Sequence, residues 1–301
     1  MYRLNYEKKD LGPSYAIAVA TMVVASLILV LIFGAEATGW KFWLMQALFT
    51  LLIGCSAVVY ATVTKTKLVV ATRLNVKPRY AHILWGCLAV TCLIACMTPI
   101  NNALLDAIEA MGLKRPSVEL EDNLAGLLIV ACLLPAICEE LVFRGTVAQS
   151  LASGNKLAAL AISGALFALY HANPAQTIHQ FILGAFLTLL ALRSGSLWTS
   201  VIVHLFNNVL VVTLSYTALG SDEFWSFTGN TAVVVSCLCV GIIGFAASVF
   251  GYIKTTKSEW HSDNVVVNDT SNVKNNPVSL VSLIVAVVIC AVMWLTSLFA
   301  V

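Results

Sequence analysis

Nine apolar runs separated by short polar turns make up most of this chain, at about 14–34, 42–63, 82–100, 124–143, 157–173, 177–192, 197–218, 231–253 and 279–300. Most reach the ~20 residues that a helix needs to cross the hydrocarbon layer of a bilayer. None alternates apolar and polar positions with period two, so a membrane barrel is excluded. In lipid the backbone must satisfy its own hydrogen bonds, which leaves the helix. The expected fold is therefore all-α, a polytopic membrane helix bundle of eight or nine transmembrane helices.

The first run follows Lys8 and Lys9, and Ala35-Glu36-Ala37 resembles a signal-peptide cleavage site. Its apolar stretch, about 20 residues, is too long for a typical signal core, so an uncleaved span is expected. Two polar stretches interrupt the pattern. In 101–123, Leu104, Leu105, Ile108 and Met111 share one helical face, which suits a helix lying on the membrane surface. Residues 254–278 are rich in Asn, Ser and Thr and read as a flexible loop. These breaks suggest three parts: 1–123, with the first three spans and an extracytoplasmic loop; 124–218; and 219–301, with the last spans and a cytoplasmic loop.

Composition agrees with the pattern. Hydrophobic residues make up 59% and charged residues 11%, against roughly 45–50% and 25% in soluble domains; the mean hydropathy is +0.90. A soluble enzyme, a disordered chain and a disulfide framework are excluded. A net charge of +2, with no basic stripe between aromatics, gives no footing for nucleic acid. All the cysteines fall in apolar runs without a CxxC pair and read as small buried hydrophobes.

Charge decides orientation. With the N-terminus in the cytoplasm and nine spans alternating, Arg3, Lys8, Lys9, Lys65, Lys67, Arg73, Lys77, Arg79, Arg144, Lys156, Arg193, Lys254, Lys257 and Lys274 fall on the cytoplasmic side. Only Lys41, Lys114 and Arg115 fall on the other. This is the positive-inside bias. It puts the sequon Asn268-Asp269-Thr270 in the cytoplasm, where it is discounted. Trp40, Trp43 and Trp198 read as interface anchors. With no sorting tail read in the sequence, a multi-pass bacterial plasma (inner) membrane is the expected location.

Ionisable residues inside spans are costly and mark function. Here they gather in the middle third. Glu139 and Glu140 end an apolar run, and Arg144 stands four residues after Glu140, on the same helix face. Glu139 points about 100° away, free for other work. His171 follows the run 157–170, and Pro174 should end that helix. His204 and Asn208 are four apart and face one way; Asn207 points elsewhere. Counting from turns at 153–155 and 194–196 puts Glu139 and His171 level, and offsets His204 by roughly 10 Å. His179, beside Gln176 and Gln180, reads as structural or interfacial. Gly164 and Gly184 suit close helix packing.

A glutamate, two histidines and an amide form a hydrolytic set. The glutamate can act as general base towards water, a histidine can share that water or protonate a leaving amine, and an amide can stabilise an oxyanion. Glu and two His are also zinc ligands. No HExxH or Gly-x-Ser-x-Gly occurs, so the common zinc-peptidase and serine-hydrolase patterns are absent.

Glu139-Glu140-x-x-x-Arg144, Phe167-x-x-x-His171 and His204-x-x-x-Asn208, with Ser194-Gly-Ser-Leu-Trp198 before the third, resemble the motifs of the CPBP intramembrane proteases. This family includes the eukaryotic CAAX-processing endopeptidase and bacteriocin-immunity (ABI) proteins. The resemblance covers about 124–210. It implies an intramembrane endopeptidase with a catalytic core of about four helices, in which Glu139 and His171 activate water, His204 and Asn208 form the oxyanion site, and Glu140 and Arg144 support them. It implies a membrane-associated peptide or protein substrate, possibly lipidated in the CAAX manner. Members have been described as metal-dependent and as glutamate-type, so the cofactor is either zinc, held by Glu139, His171 and His204, or none; none is favoured because asparagine is a poor ligand and a good oxyanion donor. Two other readings compete: an immunity or scaffold protein that binds a partner, and a proton-coupled transporter, for which no inverted repeat speaks.

Overall fold

The structure, a computed structural model, describes residues 2–113, 123–218, 230–260 and 276–299. The nine apolar runs all fold as helices. They are α1 (Leu11–Phe33), α2 (Trp40–Val63), α3 (Tyr80–Ala110), α4 (Leu124–Leu151), α5 (Lys156–Tyr170), α6 (Thr177–Ser194), α7 (Leu197–Ala218), α8 (Thr231–Thr255) and α9 (Pro277–Ser297). Eight are long and apolar enough to cross a bilayer. The exception is α5, whose 15 residues span only about 22 Å. The architecture is an all-α polytopic bundle.

One expectation is corrected. Residues 101–110 do not form a separate surface helix. They continue α3, which runs unbroken through Pro99 for 31 residues. The polar residues Asn101, Asn102, Asp106 and Glu109 end the apolar run but not the helix, which at about 46 Å is longer than a bilayer core. Residues 114–122 and the sequon at Asn268 lie outside the described residues.

Local chemistry sets the turns around the middle helices. Asn155 caps α5, its side chain accepting from the Ala158 amide at 3.0 Å. After α5 the chain turns at Pro174, where Asn173 caps a short 3-10 turn. Gly195 ends α6 in the left-handed region at φ +67°, a conformation that glycine takes without strain.

The helices pack as a ring of pairs: α1 on α2 and α9, α3 on α8, α5 on α6, and α4 against α2 and α7. The α5–α6 contact is close because it is made through two glycines. A Cβ on Gly164 would come within 2.7 Å of the Phe181 carbonyl, and one on Gly184 within 2.9 Å of the Phe167 ring. Valines and isoleucines of α8 and α9, such as Val240, Ile243, Val281 and Val285, stay exposed, as a lipid-facing surface requires. At the other end of the chain, Arg3 pairs with Asp10, which also accepts from the Tyr60 hydroxyl at 2.6 Å.

Helix α4 winds unevenly. Leu128–Leu133 and Phe143–Val147 adopt π-helical turns, and the α-helical stretch Leu134–Val142 between them carries Glu139 and Glu140. Such wider turns recur at functional sites.

Candidate active site

Four helices place the candidate residues: α4 brings Glu139, Glu140 and Arg144; α5 ends at His171; α6 supplies the carbonyl of Gly184; and α7 brings His204, Asn207 and Asn208. The side chains of Glu139, Glu140, Arg144, His171 and His204 come together although up to 65 positions separate them in sequence.

The supporting ion pair is fully buried. Arg144 Nη1 donates to Glu140 Oε1 at 2.6 Å, and both side chains are inaccessible. Arg144 Nη2 donates to the Gly184 carbonyl at 3.1 Å. Its guanidinium also lies 4.2 Å from the centroid of the Phe167 ring, within cation–π range. The same carboxylate oxygen, Glu140 Oε1, accepts from His204 Nδ1 at 3.0 Å. Glu140 thus links the arginine to one of the two histidines.

Glu139 stands in a different environment. Its side chain is 17% exposed, as is His171 at 18%, while His204 is 3% exposed. Glu139 Oε2 lies 3.8 Å from His171 Nε2 and 3.9 Å from His204 Nε2. These separations exceed a direct hydrogen bond and suit a small group shared among the three. The offset that residue counting gives for His204 is absent. The π turn at Phe143–Val147, which climbs less per residue than an α turn, supplies part of the adjustment.

The hydrogen bonds fix which ring nitrogens face Glu139. His171 Nδ1 lies 2.8 Å from the Phe167 carbonyl, which can only accept, so Nδ1 carries a proton. His204 Nδ1 faces the Glu140 carboxylate, which as an ion can only accept, so it too carries a proton. Both rings turn Nε2 towards Glu139. Phe167 holds this arrangement from beneath: its ring meets His171 edge-on at 4.6 Å and His204 at 5.9 Å.

Glu139, His171 and His204 are right in kind for zinc, and both Nδ1 protons are held as metal-ligating histidines hold theirs. The spacing is not right. Bonds of about 2.0 Å in a tetrahedron bring donor atoms to roughly 3.3 Å from one another, and here both separations are wider. Among the described residues, no group of three His, Cys, Asp or Glu is set to hold a metal ion.

Asn208 lies one turn beyond His204 and is half-buried. Its Oδ1 accepts from Asn207 Nδ2 at 3.1 Å. Asn207, read from the sequence as pointing away, is the more buried of the two, 4% exposed. His179 of α6 stands beside Asn207. The sequence singled out neither of them as functional. The signal was there only as spacing: Asn207 sits three residues after His204, on nearly the same helix face.

Residues 121–210, which span all of these side chains, match the model of the Rce1-like family, described as type II CAAX prenyl endopeptidases. No curated protein and no solved structure matches the chain.

Proposed function

We propose, for a multi-pass membrane protein that carries at residues 121–210 a domain of the Rce1-like CAAX endopeptidase family, that it is an intramembrane endopeptidase of glutamate type. The observation that carries this reading is the convergence of Glu139 Oε2 and the Nε2 atoms of His171 and His204 on one partly open space.

In this proposal water sits between Glu139 and His171. Glu139 takes its proton as the oxygen attacks the scissile carbonyl. His171 Nε2, its Nδ1 proton held by Phe167, accepts the second hydrogen of that water and keeps it aimed. The C–O bond forms as the carbonyl π electrons move onto oxygen. His204 and Asn208 meet that oxyanion. For His204 this demands a proton on Nε2 as well as Nδ1, and hence an imidazolium. Glu140 makes that state tenable, since its carboxylate lies 3.0 Å from the opposite nitrogen. With His204 charged, Glu139 and Glu140 are balanced by His204 and Arg144, as a buried site requires. The oxyanion electrons re-form the C=O bond as the C–N bond breaks, and the proton on Glu139 passes to the leaving nitrogen. The products, a carboxylic acid and an amine, part as carboxylate and ammonium once the acid's proton moves to the amine.

A CAAX-type lipidated peptide is the substrate class we infer from the family, and lipid exposure of the outer helices supports a membrane-associated substrate. The mechanism is tested by chelation. Cleavage of a prenylated CAAX peptide by the purified protein should be unaffected by 1,10-phenanthroline. Loss of activity restored by zinc alone would overturn the glutamate-type reading and assign Glu139, His171 and His204 as ligands.

A further inference from the structure

An amide group has an accepting end and a donating end, and an oxyanion needs the donating one. Which end Asn208 presents depends on what holds its other end. Asn207 Nδ2 donates to Asn208 Oδ1 at 3.1 Å, so the Asn208 oxygen is engaged and its NH2 remains to face outward. Were Asn208 turned over, two NH2 groups would oppose each other and a carbonyl oxygen would face the developing negative charge.

The same question applies to Asn207. It is almost fully buried, so its orientation is set by protein and not by solvent. Its Oδ1 has no protein hydrogen-bond partner, and neither has Nε2 of His179, which stands beside Asn207. An acceptor and a ring nitrogen able to carry a proton are complementary, and pairing them would keep the NH2 of Asn207 turned towards Asn208.

We propose that Asn207 is a positioning residue, which holds the Asn208 carboxamide with its NH2 turned to the reacting carbonyl, and that His179 backs Asn207 in that orientation. The inference rests on the oxyanion role given to Asn208 above. It sets Asn207 apart from a residue that merely fills space, because its effect must pass through Asn208.

A double-mutant cycle separates these cases. The full-length protein in lipid vesicles is assayed on a quenched fluorescent peptide with a prenylated CAAX end. Asn208→Ala should lower kcat about 100-fold, the scale of an oxyanion donor. Asn207→Leu, of similar volume, should lower kcat about 10-fold with KM unchanged, and His179→Leu by a smaller factor. In the Asn208→Ala background both substitutions should have no further effect. A loss by Asn207→Leu that is equal in the two backgrounds, or one confined to KM, would overturn the inference. Asn207→Ser passes through the same cycle if the leucine variant does not fold, as judged by its thermal midpoint. A wild type that cleaves no faster than Glu139→Gln overturns the hydrolytic reading itself, and the relay with it; the additive result overturns the relay alone.

Discussion

Glu139 and Glu140 are neighbours in the chain and differ in what surrounds them. Glu140 is sealed beneath Arg144, His204 and α6, whereas Glu139 reaches a partly open space. Glu139→Gln keeps shape and removes the base, and should reduce peptide cleavage by at least about 100-fold with the thermal midpoint unchanged. Glu140→Ala should do something else. It leaves Arg144 buried without its counter-charge, which costs about 3–5 kcal/mol, and should appear first as a lowered midpoint or loss of folded protein in detergent. Glu140→Gln can still accept from Arg144 and His204 but carries no charge, so the folded protein should survive better than Glu140→Ala and still lose activity. The pairing of Glu140 with Arg144 was legible in the sequence, because four residues on a helix fix a shared face. The bond from Glu140 to His204 was not, because 64 positions separate them and no local spacing records which face of α7 meets α4.

Helix pairs set the distances that these residues need. The approach of α5 to α6 through Gly164 and Gly184 carries Phe167 under Arg144 and sets His171 against Glu139. Gly164→Ala puts a methyl 2.7 Å from the Phe181 carbonyl and 3.0 Å from the Ala185 amide. These are backbone atoms, which cannot turn aside. Overpacking of this kind costs about 1–3 kcal/mol, so both the thermal midpoint and the cleavage rate should fall. Peripheral Val240→Ala on the lipid face of α8 should change neither. The helices themselves were legible because lipid imposes one rule on every span. The end of α3 was misjudged for the same reason: hydropathy reports where lipid stops, and a helix stops where its caps are. The turns at Asn155 and Gly195 were readable since each has its own local chemistry.

As a whole the molecule is a membrane bundle whose outer helices face lipid and whose middle helices enclose a charged site. The orientation inferred from the basic residues has a direct consequence. Reporter domains inserted at Gly154 and Gly195 should report a cytoplasmic location, and one inserted at Glu36 the opposite side; the reverse pattern would invert the assignment. At this scale the sequence could say that the middle third gathers the polar residues that are costly inside spans, although each cluster taken alone also has a structural reading. It could not say that the three motifs meet, because counting from turns does not fix the relative depth of the turns at 153–155 and 194–196. Whether the protein cuts peptides is decided by comparing membrane protein termini between cells that express the wild type and cells that express Glu139→Gln at equal abundance. New termini that appear only with the wild type, and persist when zinc is chelated, are the expected result. Identical termini in the two, with both proteins folded, would contradict hydrolysis and leave a protein that acts by binding a partner.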